Sequence, residues 1–239
     1  VAIKNIRPLV NKVSERLSGT VIELRQEHMI RICLKNGATI DFSKMLGDIK
    51  EDLGKRDFTM NSIAWSPQTG LIDPYCGLSD IKHKTIRAVC EPNMRNDPLR
   101  LLRAYRFSGE LRFEIEENTR KIIKKMVDFI KTPASERITY EFIRLLNSKD
   151  NEKVLQMVYE DGMLKELFYI NDDRLRNNIK LLHETNKNLN KVPERYFLKD
   201  FSQGLSYQGL IRIEALSLNS FSNRLVLSKN ILSHIGKTE

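Results

Sequence analysis

The feature that most constrains this chain is a change of hydrophobic period partway along it. Across residues 20–42 the apolar positions come in short β-rich runs: Val21-Ile22-Glu23-Leu24, then Met29-Ile30-Arg31-Ile32-Cys33-Leu34, then Ala38-Thr39-Ile40-Asp41-Phe42. Asn36-Gly37 divides the last two and is a hairpin signal, because both residue types tolerate positive φ. Ahead of these runs Ile6, Leu9, Val10, Val13 and Leu17 fall at helical spacing, and Ser18-Gly19 stops the pattern. A further helical start follows Asp48, and the turn-rich Ser66-Pro67-Gln68-Thr69-Gly70 leads into Leu71-Ile72-Asp73-Pro74. Beyond that point strand signals fade. Residues 99–107, 119–130, 137–146 and 154–167 read as separate helices, with Thr132-Pro133 as N-cap and first-turn proline of the third. The expected fold class is therefore α+β, a small antiparallel-containing sheet followed by an all-helical array. From about residue 171 the chain is charged and Asn-rich and carries little chemical information.

Composition narrows the function classes only a little. At 239 residues the chain is long enough for one large core or several smaller ones, so a disulfide-stapled miniature is excluded. Its 40 Lys and Arg against 31 Asp and Glu give +9, a bias toward polyanions that a merely well-solvated surface would also produce. Cys33, Cys76 and Cys90 lack any C-x-x-C spacing, so reduced thiols are expected rather than a zinc site or disulfide. No run approaches the roughly 20 apolar residues of a membrane span, and no signal peptide opens the chain, which points to a cytoplasmic protein with no membrane partner. The first residue is Val1, which suggests a start downstream of the gene's own.

The chemistry concentrates in two stretches. In Asn96-Asp97-Pro98-Leu99-Arg100-Leu101-Leu102-Arg103-Ala104-Tyr105-Arg106-Phe107, Asp97 suits an N-cap and Pro98 a first helical turn. Arg100, Arg103 and Arg106 recur every third residue on one flank, with Leu101 and Tyr105 opposite, so a column of guanidinium groups is backed by core. An acid one turn ahead of an arginine offers an acceptor and fixed donors to a nucleobase edge, while further arginines meet phosphates. A solvated face with an ordinary cap is the plainer reading of the same residues. Arg56-Asp57-Phe58-Thr59-Met60-Asn61 packs a cation, an acid, a hydroxyl and an amide beside an aromatic, groups that need one another or a ligand. Asp73-Pro74 with Gly77 and Asp80 reads as a tight structural connection.

Lys55-Arg56-Asp57-Phe58-Thr59-Met60-Asn61, Asp73-Pro74 with Gly77 and Asp80, Asn96-Asp97-Pro98-Leu99-Arg100 continuing to Arg103 and Arg106-Phe107, and Ser135-Glu136-Arg137-Ile138 with Glu141 resemble, in order and spacing, the motifs of class II tRNA nucleotidyltransferases and bacterial poly(A) polymerases. The resemblance covers about residues 1–150. It implies a partial nucleotidyltransferase head over 1–88, a helical neck with the nucleotide-selecting helix over 89–150, and a helical body and tail that bind RNA over 151–239. By the same resemblance Asp97 and Arg100 pair with the incoming base. Arg103 and Arg106 contact nucleotide or phosphate, and Arg56, Asp57 and Asn61 meet phosphate and ribose. Ser135, Glu136 and Arg137 shape the neck. Asn96 stands where the family usually has Glu, and Lys55 where it usually has Arg.

The implied activity is template-independent addition of C and/or A from CTP or ATP to the 3′ end of tRNA, with Mg2+ as cofactor and the tRNA acceptor arm as partner. The rivals are a poly(A) polymerase and a non-catalytic RNA-binding remnant. The family's early Gly-Gly-x-x-x-Arg-Asp loop and its Asp-x-Asp pair do not occur in this stretch, so its catalytic carboxylates are unassigned and a preceding segment or partner is expected to supply them. Asp41, at the end of the third β run, is a candidate third metal ligand or else opens the following turn. The short connection from Asp41 to Glu51 resembles the CC-adding subgroup.

Overall fold

The computed structural model describes residues 2–3, 5–25, 29–45, 47–148, 150–168, 172–189, 191, 193, 199–216 and 225–235. The chain forms two compact units, one of Val1–Arg56 with Ser62–Tyr75, the other of Asp57–Asn61 with Cys76–Glu239.

The first unit contains β1 (Ala2–Ile3), α1 (Arg7–Leu17), β2 (Thr20–Arg25), β3 (Met29–Cys33), β4 (Thr39–Lys44), α2 (Ile49–Gly54), β5 (Ala64–Ser66) and β6 (Gly70–Ile72). Its main sheet runs β1-β4-β3-β2, antiparallel except for the parallel β1–β4 pair. Alternation along β3 buries Ile30 and Ile32, which pack with Phe42 of β4 and with Ile6 and Val10 at the start of α1. Each such side chain contributes roughly 2 kcal/mol of burial. The Asn36-Gly37 hairpin is present, but only Gly37 of the two takes positive φ, at 83°. Asn36 instead accepts the Ala38 N–H through its side chain at 3.0 Å, so the pair splits the work of the turn. The helical start after Asp48 is also present, and its carboxylate caps α2 by accepting the Glu51 N–H at 2.8 Å.

The second unit opens with a 3₁₀ turn (Thr59–Asn61) and continues through α3 (Gly77–Lys82), β7 (Thr85–Ile86), α4 (Glu91–Asn96), α5 (Leu99–Leu111), β8 (Glu114–Ile115), α6 (Glu117–Lys125) and a second 3₁₀ segment (Val127–Lys131). Then come α7 (Ser135–Leu146), α8 (Asn151–Glu160), α9 (Met163–Phe168), α10 (Asp172–Leu189), β9 (Asp200–Ser202), β10 (Leu205–Ser206), α11 (Tyr207–Ala215) and α12 (Lys229–Ile235). One continuous core reaches from Phe58 to Ile235. Helix α5 lies at its centre, with Leu101, Leu102, Ala104 and Tyr105 sealed from solvent. The functional limits drawn from the sequence at residues 88 and 150 therefore differ from the divisions of compactness.

Several local expectations are corrected. Thr132 does not cap α7; it closes the preceding 3₁₀ segment by donating its hydroxyl to the Phe129 carbonyl at 2.9 Å, and α7 starts at Ser135. The helix expected over 154–167 is two helices, parted where Gly162 takes φ of 80°. Val154, Leu155 and Val158 share one helical face, whereas Leu164 and Leu167 fall on the opposite one, so the apolar phase changes across that break. The expected fading of strands is corrected by the short β7–β8 and β9–β10 pairs, too brief to carry a two-residue period.

Gly109 decides how closely α5 meets the connection between α7 and α8. A Cβ there would lie 2.3 Å from the Ser148 Oγ and 2.9 Å from its Cβ. Ser148 is buried and its hydroxyl is tied to the Leu145 carbonyl at 2.7 Å, so it has little room to yield. In an open helix interior Gly109→Ala would stabilise by about 1 kcal/mol. Here the sign reverses: G109A is expected to cost about 1–3 kcal/mol in urea denaturation.

Candidate functional site

The second unit gathers most of the sequence-derived residues along α5 and α7, which pack against each other. Arg103, Arg106 and Glu110 lie at i, i+3 and i+7 on α5, and Arg137, Glu141 and Arg144 at i, i+4 and i+7 on α7, so each series lines one helix flank. The signs of the two series interlock. Arg103 donates from Nη1 to Glu141 Oε1 at 3.1 Å, and Arg106 donates from Nε to the other Glu141 oxygen. Arg106 also bonds Glu110, which accepts from Arg144 Nε and Nη2 at 2.9 and 3.1 Å.

Asp57 completes this lattice. Its Oδ2 accepts Arg103 Nε and Nη2 at 2.9 and 2.6 Å, and its Oδ1 accepts the Phe58 N–H and Asn61 Nδ2, both at 2.9 Å. Burial alone would raise the Asp57 pKa, but the Arg103 charge and the hydrogen bonds from Asn61, Arg103 and Phe58 outweigh it and hold the carboxyl below its ordinary value. Burial likewise pulls Arg103 down, and Asp57 and Glu141 push it up further, so the net shift is upward. Phe107 lies under both cations, 5.2 Å from the Arg103 guanidinium and 3.9 Å from that of Arg106, and meets Phe58 edge-on at 5.7 Å.

The column of arginines is thus graded in exposure. Arg106 has a side chain 1% exposed, bonded through Nε to Glu141 and through Nη1 to Glu110, so it lies in the interior. Arg103 remains partly exposed, and after its bonds to Asp57 and Glu141 its Nη1 and Nη2 each keep one N–H that no described residue takes.

At the head of α5 the expected cap is absent. Asp97, at φ −140° and ψ 89°, ends α4, and its side chain caps nothing; the Asp97 carbonyl accepts the Arg100 N–H at 3.0 Å in a tight first turn. Its Oδ2 accepts Arg137 Nη2 at 2.8 Å, while Oδ1 has no partner among the described residues. Arg100 donates from Nη1 to the Asn93 carbonyl at 3.2 Å, and its Nε and Nη2 have no partner among the described residues. Asp97 and Arg100 are both half-buried, so an acceptor and donors stand at one helix start. Ser135 and Glu136 occupy the first turn of α7 beside Arg137.

Arg56 belongs to the first unit, where it bonds Asp52 at 2.6 Å. Asp80 takes the structural role expected of it, accepting from Thr59 Oγ1 at 2.7 Å and from Arg87. Asp41 sits within β4, not at the start of a turn, and its carboxylate is gripped by Arg31 Nε and Nη2 at 2.6 and 2.8 Å. Among the described residues no three His, Cys, Asp or Glu side chains converge to hold a metal ion. A cation at Asp41 would have to displace the guanidinium of Arg31. The lysines at 121, 124 and 125 are exposed but paired with Glu117, Asp161 and Glu91, the kind of surface pair that exchanges readily. Glu110, Glu141 and Arg144 carry much of the site, yet the sequence reading gave none of them a role; the legible signal was the complementary charge spacing of two neighbouring helices.

Residues 10–87 match the poly A polymerase head domain, and residues 112–175 match the probable RNA and SrmB-binding site of polymerase A. The chain belongs to the family of poly(A) polymerases and tRNA nucleotidyltransferases. Among relatives in that family, it is 37% identical over 153 residues to the CC-adding tRNA nucleotidyltransferase of Synechocystis, covering 63% of this chain and 36% of that protein. It is 39% identical over 126 residues to the CCA-adding enzyme of Bacillus licheniformis, covering 52% of this chain and 32% of that one. The Thermotoga maritima CCA-adding enzyme complexed with tRNA shares its fold at a TM-score of 0.77 and 23% identity, over 97% of this chain and 58% of that one. The matched stretches of this family member span 31% to 43% of the length of curated relatives such as these. Among its described residues no helix is long and apolar enough to cross a membrane.

The Asp57–Arg103 pair makes stability depend on pH in a definite direction. Because the folded pKa of Asp57 lies below its ordinary 3.8, its contribution is present above that value and is lost as pH falls through the folded one. Asp57→Asn, which leaves Arg103 facing an amide, is expected to cost about 3 kcal/mol at pH 7. Urea titrations should find that gap between wild type and variant shrinking as the pH is taken below that window.

Proposed function

We propose that this chain is the base-selecting and RNA-holding part of a template-independent RNA nucleotidyltransferase. It adds C and/or A from CTP or ATP to the 3′ end of tRNA, and the CC-adding type is favoured. The observation that carries the reading is the Asp97 Oδ1, without a partner among the described residues, at the same helix start as the Arg100 N–H groups. Cytosine and adenine present an exocyclic amine beside a ring-nitrogen acceptor on their Watson–Crick edge, the complement of a carboxylate beside a guanidinium. Uracil and guanine present a carbonyl oxygen beside a ring N–H, which sets oxygen against oxygen at Asp97 and leaves polar groups unpaired.

In this reading Arg103, fixed from two sides, turns its remaining N–H groups toward nucleotide, and Asn61 and Arg56 serve phosphate and ribose. Arg106 acts indirectly, by sharing Glu141 with Arg103. The exposed lysines of α6 hold the acceptor arm through phosphate, which makes RNA binding fall steeply with salt. The CC-adding preference rests on the short connection between β4 and α2 and on the likeness to the Synechocystis protein. Nucleotidyl transfer of this kind uses divalent metal to activate the attacking hydroxyl. A cytoplasmic setting goes with this reading.

Equilibrium dialysis of the protein against each labelled nucleotide, with and without a tRNA ending before CCA, tests it. Binding of CTP, with or without ATP, and rejection of UTP and GTP is the expected result. ATP alone would turn the reading to a poly(A) polymerase, and RNA binding with no nucleotide bound would leave an RNA-binding remnant. Asp97→Ala should shrink the preference for CTP over UTP by about tenfold or more while tRNA affinity stays near wild type.

A further inference from the structure

We propose that Arg137 is a positioning residue for base selection, acting by holding one oxygen of Asp97 so that the other faces the incoming base. This rests on the reading of Asp97 and Arg100 given above. The backbone at Asp97 is stiff, because it lies between α4 and a proline that fixes the next φ at −62°. Its side chain has no such restraint from its own helix, since it caps neither α4 nor α5. A carboxylate free about χ1 and χ2 offers its lone pairs in many directions, and a base reader needs one. The Arg137 Nη2 bond to Oδ2 at 2.8 Å supplies the restraint from a different helix, and it engages one oxygen only.

The pair is suited to orienting and poorly suited to stabilising. Its side chains are 52% and 29% exposed, and exposed pairs of this kind contribute little to folding. Selectivity and stability should therefore separate when Arg137 is changed, which is not so for the buried Arg106 of α5. Arg137 has only this contact to Asp97 among the described side-chain hydrogen bonds, so its loss leaves no second buried group unpaired.

The test measures CTP and UTP affinity by equilibrium dialysis for wild type, Arg137→Ala, Arg137→Lys and Asp97→Ala, with thermal melting alongside. R137A is expected to melt like wild type and to narrow the CTP-over-UTP preference about tenfold, with R137K intermediate because one ammonium can still reach the oxygen. An unchanged preference in R137A, beside a lost one in D97A, overturns the role of Arg137 and leaves the reading of Asp97 standing. A retained preference in D97A overturns both, as does a wild-type protein that binds neither nucleotide. A fall in melting temperature together with equal loss of CTP and UTP binding in R137A and R137K overturns the inference in favour of a structural role.

Discussion

The polar cluster that joins the 57–61 turn to α5 and α7 turns on Arg103, a cation clamped between two buried carboxylates contributed by distant parts of the chain, Asp57 and Glu141. Asp57 has Arg103 as its cationic partner at that depth, whereas Glu141 is compensated by both Arg103 and Arg106. The clamp orders three things together: the 57–61 turn, the flank of α5 and the first half of α7. A guanidinium held on two sides has little freedom left, and the N–H groups it retains point in a fixed direction, which is what recognition of a planar or anionic group requires. The Arg106–Glu110–Arg144 run carries the same pattern from the buried Arg106 out to the half-exposed Arg144.

The main elements were legible because their signals are local. The switch from a period of two to a period near 3.6, the Asn36-Gly37 turn and the Asp48 cap each depend on a few neighbouring residues and on nothing distant. What escaped the sequence depends on pairing in space. Asp97 looks like an N-cap because Asp before Pro commonly is one, yet Arg137, forty positions on, takes its carboxylate. Arg106 looks like its siblings at three-residue spacing, but a helix advances 3.6 residues per turn, so every third position drifts around the axis and this one reaches the core. Thr132 misleads for the same reason, since it closes the preceding 3₁₀ segment, whereas the break at Gly162 is marked by a change of apolar phase.

The gradient of exposure changes how the motif residues divide their labour. Asp97 and Arg100 retain hydrogen-bonding capacity at the helix start, Arg103 retains some, and Arg106 is enclosed. Residues with the same chemistry thus stand at successive depths along one helix, so substitutions along it have different physical meanings. Removing the outer members takes away exposed hydrogen-bonding groups, whereas removing the inner one strips Glu141 of one of its two cationic partners.

The contact between Gly109 and Ser148 reaches beyond its own two residues. It lets the backbone at Asp150 come within hydrogen-bonding distance of the Gly109 carbonyl, 3.4 Å, and so fixes where α8 departs. Positions 109 and 148 therefore form a single steric unit: a bulkier residue at one demands a smaller one at the other, and related sequences in which either varies alone must set α8 on a different heading.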